Sequence, residues 1–366
     1  MNTVLDRESP NPIDYLIIGQ GLAGSILAWL LEQHQQEVVI VDNGHENSAS
    51  RIAAGIVNPV AGQRLVRHPR AETCLSRARA FYTMLGDFYN QTFYAERPMI
   101  RLFYSDKEST IWTERKTDPA TLAYLGERFS EHEVWPVPAN RTGGFHQKGC
   151  GYLDTRRFLD AIRKHFKSRS RLVEQEFSWN QIRPDQANIV WNGRRVGQVI
   201  SCEGFRAGSN PYFSWLPFQF SKGEILTLQS AVSLPEAIVN HGKWLLPLNG
   251  RVFKCGATYE WQSLDTRASD SARELLCSTA RELLIRNTDF RVLAQEAGIR
   301  PGSLDKNPFA GMHPAFPRLG IFNGFGSRGV LTIPHYAERF VQHLLYRTAL
   351  PPEVELGRCL KNYEAG

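Results

Sequence analysis

Apolar positions along the chain follow two rhythms. Asp14-Tyr15-Leu16-Ile17-Ile18 is a short, almost wholly apolar run that stops at Gly19, the pattern of a strand buried on both faces of a parallel sheet. Ile26, Leu27, Leu30 and Leu31 then recur at helical spacing, which predicts a helix opening near Leu22. Glu37-Val38-Val39-Ile40-Val41-Asp42 reads as a second buried strand that ends in an acid. Later the rhythm changes. Glu224-Ile225-Leu226-Thr227-Leu228 and Val252-Phe253-Lys254-Cys255-Gly256-Ala257-Thr258 are short strands of mixed polarity, as in an antiparallel sheet with one wet face. Asn249-Gly250 is a strong hairpin signal. Residues 156–166 and 334–345 read as helices. There is no internal repeat, low-complexity tract or Pro-, Gly- or Ser-rich linker.

The first strand, helix and second strand frame the turn Gly19-Gln20-Gly21-Leu22-Ala23-Gly24, the order of a dinucleotide-binding unit. Gly19 permits the tight turn, Gly21 lets the backbone approach a pyrophosphate, and Gly24 lets the helix pack closely on the strand. The helix N-terminus offers unpaired amides and a positive dipole end to phosphates. Asp42 lies about 20 residues past the turn, where an acid is expected on a ribose hydroxyl. The turn alone does not choose between NAD and FAD. A nicotinamide enzyme would continue into another helix and strand. Here the chain runs through small residues, Ser48-Ala49-Ser50-Arg51-Ile52-Ala53-Ala54-Gly55 and on to Pro59. That composition suits a loop pressed on a flat ring system or a pyrophosphate, with an ordinary surface loop as the alternative.

Composition narrows the picture slightly. The 366 residues suffice for a large nucleotide domain and a second domain. Hydrophobic residues at 42% and charged residues at 22% are the mix of a soluble globular protein, and no run nears the roughly 20 apolar residues of a membrane helix. Residues 1–11 carry Asp6 and Glu8 without an apolar core, so a short disordered lead-in is expected rather than a secretory signal. The six cysteines are scattered, which predicts neither a disulfide framework nor a metal site and suits a cytoplasmic setting. Net charge is +6. A merely basic surface is the plainer reading, and an attraction to phosphates, carboxylates or nucleic acid the other. The basic residues Arg156, Arg157 and 163–167 are expected on a solvated helix face.

With these motifs assembled, the chain resembles the D-amino-acid-oxidase-like FAD oxidoreductases, particularly the glycine oxidase, sarcosine oxidase and D-amino-acid dehydrogenase branch. The resemblance covers most of the chain. Beyond the glycine turn it rests on Gly151-Tyr152-Leu153-Asp154, Val199-Ile200-Ser201-Cys202-Glu203-Gly204 and Lys222-Gly223-Glu224. It is strongest in Gly298-Ile299-Arg300-Pro301, Asp305, Pro308-Phe309-Ala310-Gly311 and the run from Ile321 to Val330. It implies an α/β plus α+β architecture: a Rossmann-like FAD-binding domain of the glutathione-reductase type, with a mixed antiparallel-sheet substrate domain. The FAD domain is expected from residues 1–80, 145–216 and 298–366, and the substrate domain from 81–144 and 217–297. The implied cofactor contacts are Gly19, Gly21, Gly24, Asp42, Ser50, Arg51, Ala54, Gly55, Val173, Gly204, Gly326, Ser327, Gly329 and Val330.

The resemblance also implies the chemistry, oxidation of the C–N bond of a small amino acid or N-substituted glycine. Such a substrate calls for a cation on its carboxylate, which the planar fork of Arg matches best. Arg328 and Arg300 stand at the family positions for it, with Arg328 the first choice. Arg300 has the alternative of a structural acid or a flavin carbonyl. Trp244 replaces a family Tyr and either walls the pocket or fills the core. His241 and Lys243 either face the pocket or serve the fold. Covalent attachment sites of the family lack their Cys and His here, so noncovalent FAD is expected. Two other functions stay open: a tRNA-modifying oxidoreductase acting on a carboxymethylaminomethyl uridine, and a non-catalytic FAD-binding subunit of a complex.

Overall fold

The computed structural model describes residues 12–44, 48–130, 143–184, 188–234, 236–284 and 288–364; the expected lead-in at 1–11 lies outside them. The first apolar run forms strand Ile13–Ile18 in the middle of a seven-stranded sheet. Across that sheet, Leu172–Val173, Val38–Val41, Ile13–Ile18, Arg194–Ser201 and Leu319–Asn323 lie side by side and parallel. Phe309–Met312 closes one edge in the antiparallel sense. Ile18 is in register with both Val41 and Ser201, and Ser201 with Ile321. The carboxyl ends of four strands therefore share one line, where open parallel sheets bind ligands.

Helices Leu22–Gln33, Ala71–Tyr89, Thr155–Ser168 and Gly329–Tyr346 cover one face of this sheet through a large apolar core. Trp179, Trp191, Phe213 and Leu356 cover the other. Thr155–Ser168 buries Phe158, Leu159, Ile162 and Phe166, and its N-cap Asp154 accepts the Arg157 amide at 3.1 Å. Contrary to the expectation from sequence, its basic residues are not all on a solvated face. Arg163 is drawn inward by Gln20, Asp42 and Glu174, because a guanidinium can serve three acceptors at once.

The second sheet has eight strands, in the order Phe290–Ser303, Phe218–Ser230, Val252–Gly256, Lys243–Asn249, Ile238–His241, Met99–Leu102, Gly144–Gln147, Leu125–Phe129. The expected hairpin joins Lys243–Asn249 to Val252–Gly256, with Gly250 at φ +47°. Strand Phe218–Ser230 far outruns the predicted residues 224–228, since it pairs along its whole length with Phe290–Ser303. That partner strand runs unbroken through the expected boundary at 297/298, and helix Ala71–Tyr89 runs through the one at 80/81.

The last long helix also starts earlier than its proline suggested, at Gly329, with Pro334 inside it. Proline cannot donate to the carbonyl four residues back. Here that carbonyl, on Val330, accepts the Tyr82 hydroxyl at 2.9 Å instead, which satisfies the helix from outside. Among the described residues no helix is long and apolar enough to cross a membrane.

Candidate active site

A cavity of about 740 Å³ opens along the line of strand ends and extends to the face of the second sheet. At its nucleotide end the glycine turn is fixed by close packing. Gly19 has φ +101°, and a Cβ there would meet the Cys202 carbonyl oxygen at 2.6 Å. A Cβ on Gly24 would meet the Gly19 carbonyl oxygen at 1.9 Å, so Gly24 serves helix packing and does not line the cavity. Helix Leu22–Gln33 has no side-chain cap of its own. Ser50, from the small-residue stretch, supplies its hydroxyl to the Leu22 amide at 3.0 Å. The first bond inside the helix runs from Ser25 to Gly21, and Ala23, which lines the cavity, presents its amide as a donor for an anion.

Asp42 lines the cavity and accepts from the Gln20 amide at 2.9 Å, the Gly44 amide at 3.0 Å and Arg163 at 3.2 Å. A second helix N-terminus faces the same space, since Gly329 and Val330 line it and Arg328 caps that helix through its carbonyl alone. Two positive dipole ends thus converge on one cavity. A long cavity with two anion-favouring ends and glycine cradles fits a dinucleotide carrying a second ring system.

Of the expected cofactor contacts, Gly19, Gly21, Asp42, Ser50, Ala54, Gly55, Gly204, Gly326, Ser327, Gly329 and Val330 line this cavity. Three do not. Gly24 packs the helix, Arg51 pairs with Asp160, and Val173 holds the adjacent strand by accepting the Asp42 amide at 3.1 Å.

At the other end Arg300 lies on the wall. Its guanidinium donates to carbonyls, to Thr258 at 3.3 Å and Lys222 at 3.5 Å, and stacks on Tyr259 with 4.3 Å to the ring centroid. Among the described residues no acid pairs with it. Burial pushes its pKa down from the usual Arg range, as expected for a cation removed from water without a counter-charge. A Cβ on Gly223 would meet the Arg300 guanidinium at 2.0 Å, so the glycine of Lys222-Gly223-Glu224 makes room for it. Trp244 also lines the cavity, its ring across Gly256.

Arg328 is half-buried and lies off the cavity wall; burial lowers its pKa too, and Tyr259 is among the groups it feels. His241 and Lys243 are also off the wall, His241 facing Tyr104 at 5.1 Å between ring centroids. Gln20, Tyr259 and Arg163 escaped the sequence reading. Gln20 is buried, bridging Asp42, Arg163 and the Leu159 carbonyl. Its place between two glycines of the turn was the one available signal.

With the site in view, comparison with known proteins is decisive on the family. The DAO family, described as FAD dependent oxidoreductase, matches residues 14–343. The chain belongs to this family. Among its DAO relatives, glycine oxidase of Pseudomonas aeruginosa is 25% identical over 336 residues, covering 87% of this chain and 91% of that protein. The tRNA 5-methylaminomethyl-2-thiouridine biosynthesis bifunctional protein of Aromatoleum aromaticum is 25% identical, covering 93% of this chain but 58% of its own length. The crystal structure of glycine oxidase from Geobacillus kaustophilus superposes with a TM-score of 0.79 at 21% identity, over 93% of this chain and 97% of that one. The expected DAO-type FAD fold is therefore the fold observed.

Proposed function

We propose that this FAD-dependent oxidoreductase oxidises the C–N bond of a small amino acid or N-substituted glycine. The observation that carries the reading is Arg300, a half-buried guanidinium on the cavity wall with no acid partner among the described residues. It is a prepared site for the substrate carboxylate. FAD, when bound, would supply the redox chemistry as acceptor of the hydride from the carbon that bears the amine. The chain binds, orients and shields. Arg300 anchors the carboxylate, with Arg328 a second cation nearby; this reverses the order the motifs suggested. Trp244 walls the reacting carbon, and the helix N-terminus at Gly329 favours negative charge on the reduced ring.

Residues 1–80, 145–216 and 298–366 are assigned to FAD, and 81–144 and 217–297 to substrate, with strand Phe290–Ser303 and helix Ala71–Tyr89 shared across the joins. FAD binding is noncovalent. In support, the described wall holds one cysteine, Cys202, and no histidine. Cys202 packs against Gly19 and Gly24 at the nucleotide end. Six free cysteines support a cytoplasmic setting.

Anaerobic bleaching of the flavin by a panel of glycine, sarcosine, proline and D- and L-amino acids tests the function. Bleaching by at least one is expected, and none by any would sink the proposal. A second reading, oxidation of a carboxymethylamino group on tRNA, is favoured by the Aromatoleum relative spanning nearly the whole chain. Salt-sensitive tRNA binding with no bleaching by free amino acids would select it.

A further inference from the structure

Tyr259 and Trp261 are large aromatics left 51% and 58% exposed. Their rings stack, with 6.0 Å between centroids and 24° between planes. Tyr259 belongs to the cavity wall beside Trp244, Ala257 and Thr266, and Arg300 lies under its ring. Trp261 is off that wall, and its exposed ring adjoins the wall through Tyr259.

Their exposure does not come from a loose loop. The Lys222 amide donates to the Glu260 carbonyl at 2.8 Å, and the Glu260 amide to the Lys222 carbonyl at 3.0 Å. The Glu260 carboxylate accepts the Trp261 and Gln262 amides, both at 2.7 Å. Lys222 pairs with Asp265 at 2.8 Å, and Asp265 accepts the Arg267 amide at 2.9 Å. Ser269 is bonded to Glu224. A segment pinned at so many points displays its two rings in a fixed place. Such a display favours a flat π-face over an aliphatic group of equal size, through stacking beyond area burial.

We infer that the substrate's amine carries a planar aromatic or heteroaromatic ring, which stacks on Tyr259 and Trp261 while the carboxylate is held at Arg300. The inference rests on the function proposed above and adds the class of the substituent. It makes Trp261 a specificity-determining residue.

The test is a binding titration of the FAD-loaded protein with phenoxyacetate and cyclohexyloxyacetate, read by perturbation of the flavin absorption band. Both place an ether oxygen where the amine would stand, so neither turns over. Phenoxyacetate is expected to bind tighter by on the order of five- to tenfold. Trp261→Ala should erase that difference and Trp261→Phe should restore most of it. Equal affinities in the native protein, a difference that survives Trp261→Ala, or binding of neither ligand overturns the inference. Flavin bleaching by the amine panel reads the functional proposal separately, so bleaching combined with equal affinities removes the aromatic subsite alone.

Discussion

Arg101 and Arg300 stand on the same eight-stranded sheet, in Met99–Leu102 and Phe290–Ser303. Both are largely withdrawn from water, yet their surroundings are opposite. Arg101 meets Glu108 at 2.7 Å, with the two side chains 5% and 4% exposed, and donates to the Gly62 carbonyl at 2.6 Å. Glu108 in turn accepts the Tyr104 amide at 2.9 Å. That set is closed, and it ties the sheet to the chain after the small-residue stretch. Arg300 has carbonyls and a ring but, among the described residues, no acid. The same residue type is thus a finished structural joint in one place and an open binding position in the other. The difference lies in whether the counter-charge belongs to the chain.

Breaking the closed set should have the largest effect. Glu108→Ala leaves Arg101 buried and uncompensated, with an expected loss of about 3–5 kcal/mol of stability by urea unfolding. A loss under about 1 kcal/mol would remove the contrast.

His335 sharpens the comparison, because it is buried with no hydrogen-bond partner for either ring nitrogen among the described residues. Unlike arginine, it can shed its proton. Burial pushes its pKa down from 6.5 to about 4, so between those values the unfolded chain binds a proton that the folded chain refuses. Its burial therefore carries no protonation cost above pH 6.5, and the folded state loses up to about 3 kcal/mol as pH falls toward 4. Melting curves across that window should show the loss, and His335→Leu should make it shallower, with His68, also pushed down to about 4 by burial, contributing the rest. An unchanged acid limb in the variant would exclude His335 as its source.

Arg300→Leu removes the open cation. For a carboxylate substrate, kcat/KM should fall roughly 10- to 150-fold, the worth of a charge-assisted hydrogen bond of about 1.5–3 kcal/mol. Unfolding free energy should move by less than about 1 kcal/mol, because the cost of burying the charge disappears with it. A variant that unfolds readily but turns over normally would reverse the assignment. The smallest effect is expected from Tyr82→Phe, which strips the Val330 carbonyl of its donor at a cost of about 1 kcal/mol, read as a lowered Tm.

Much of the nucleotide end was legible in sequence because its residues are local. The turn, its flanking strands and Asp42 lie within one βαβ unit, where spacing and periodicity report geometry directly. The hairpin at Asn249-Gly250 was legible for the same reason. The substrate end is assembled from distant segments, and spacing carries no such information there. Strand Val252–Gly256 ends before Tyr259, so nothing in its alternation marked that ring as wall. Arg51 looked like a cofactor ligand by position, but Asp160 claims it from another helix. Pro334 read as a helix start, since only the fold supplies Tyr82 to the carbonyl it leaves bare.

Strand Phe290–Ser303 acts as a ruler. Gly298, Arg300 and Gly302 fall on alternate positions and share a face, each step about 6.6 Å. A Cβ on Gly298 would touch Ile52 at 3.2 Å and one on Gly302 would approach Gly326 at 3.9 Å, while Arg300 reaches Tyr259 between them. Three separate parts of the cavity are thus gauged by one rigid length of backbone. A one-residue slip of this strand against Phe218–Ser230 would turn all three marks to the opposite face at once. Drift in this enzyme is therefore free to change what stands on the ruler, but not its graduation.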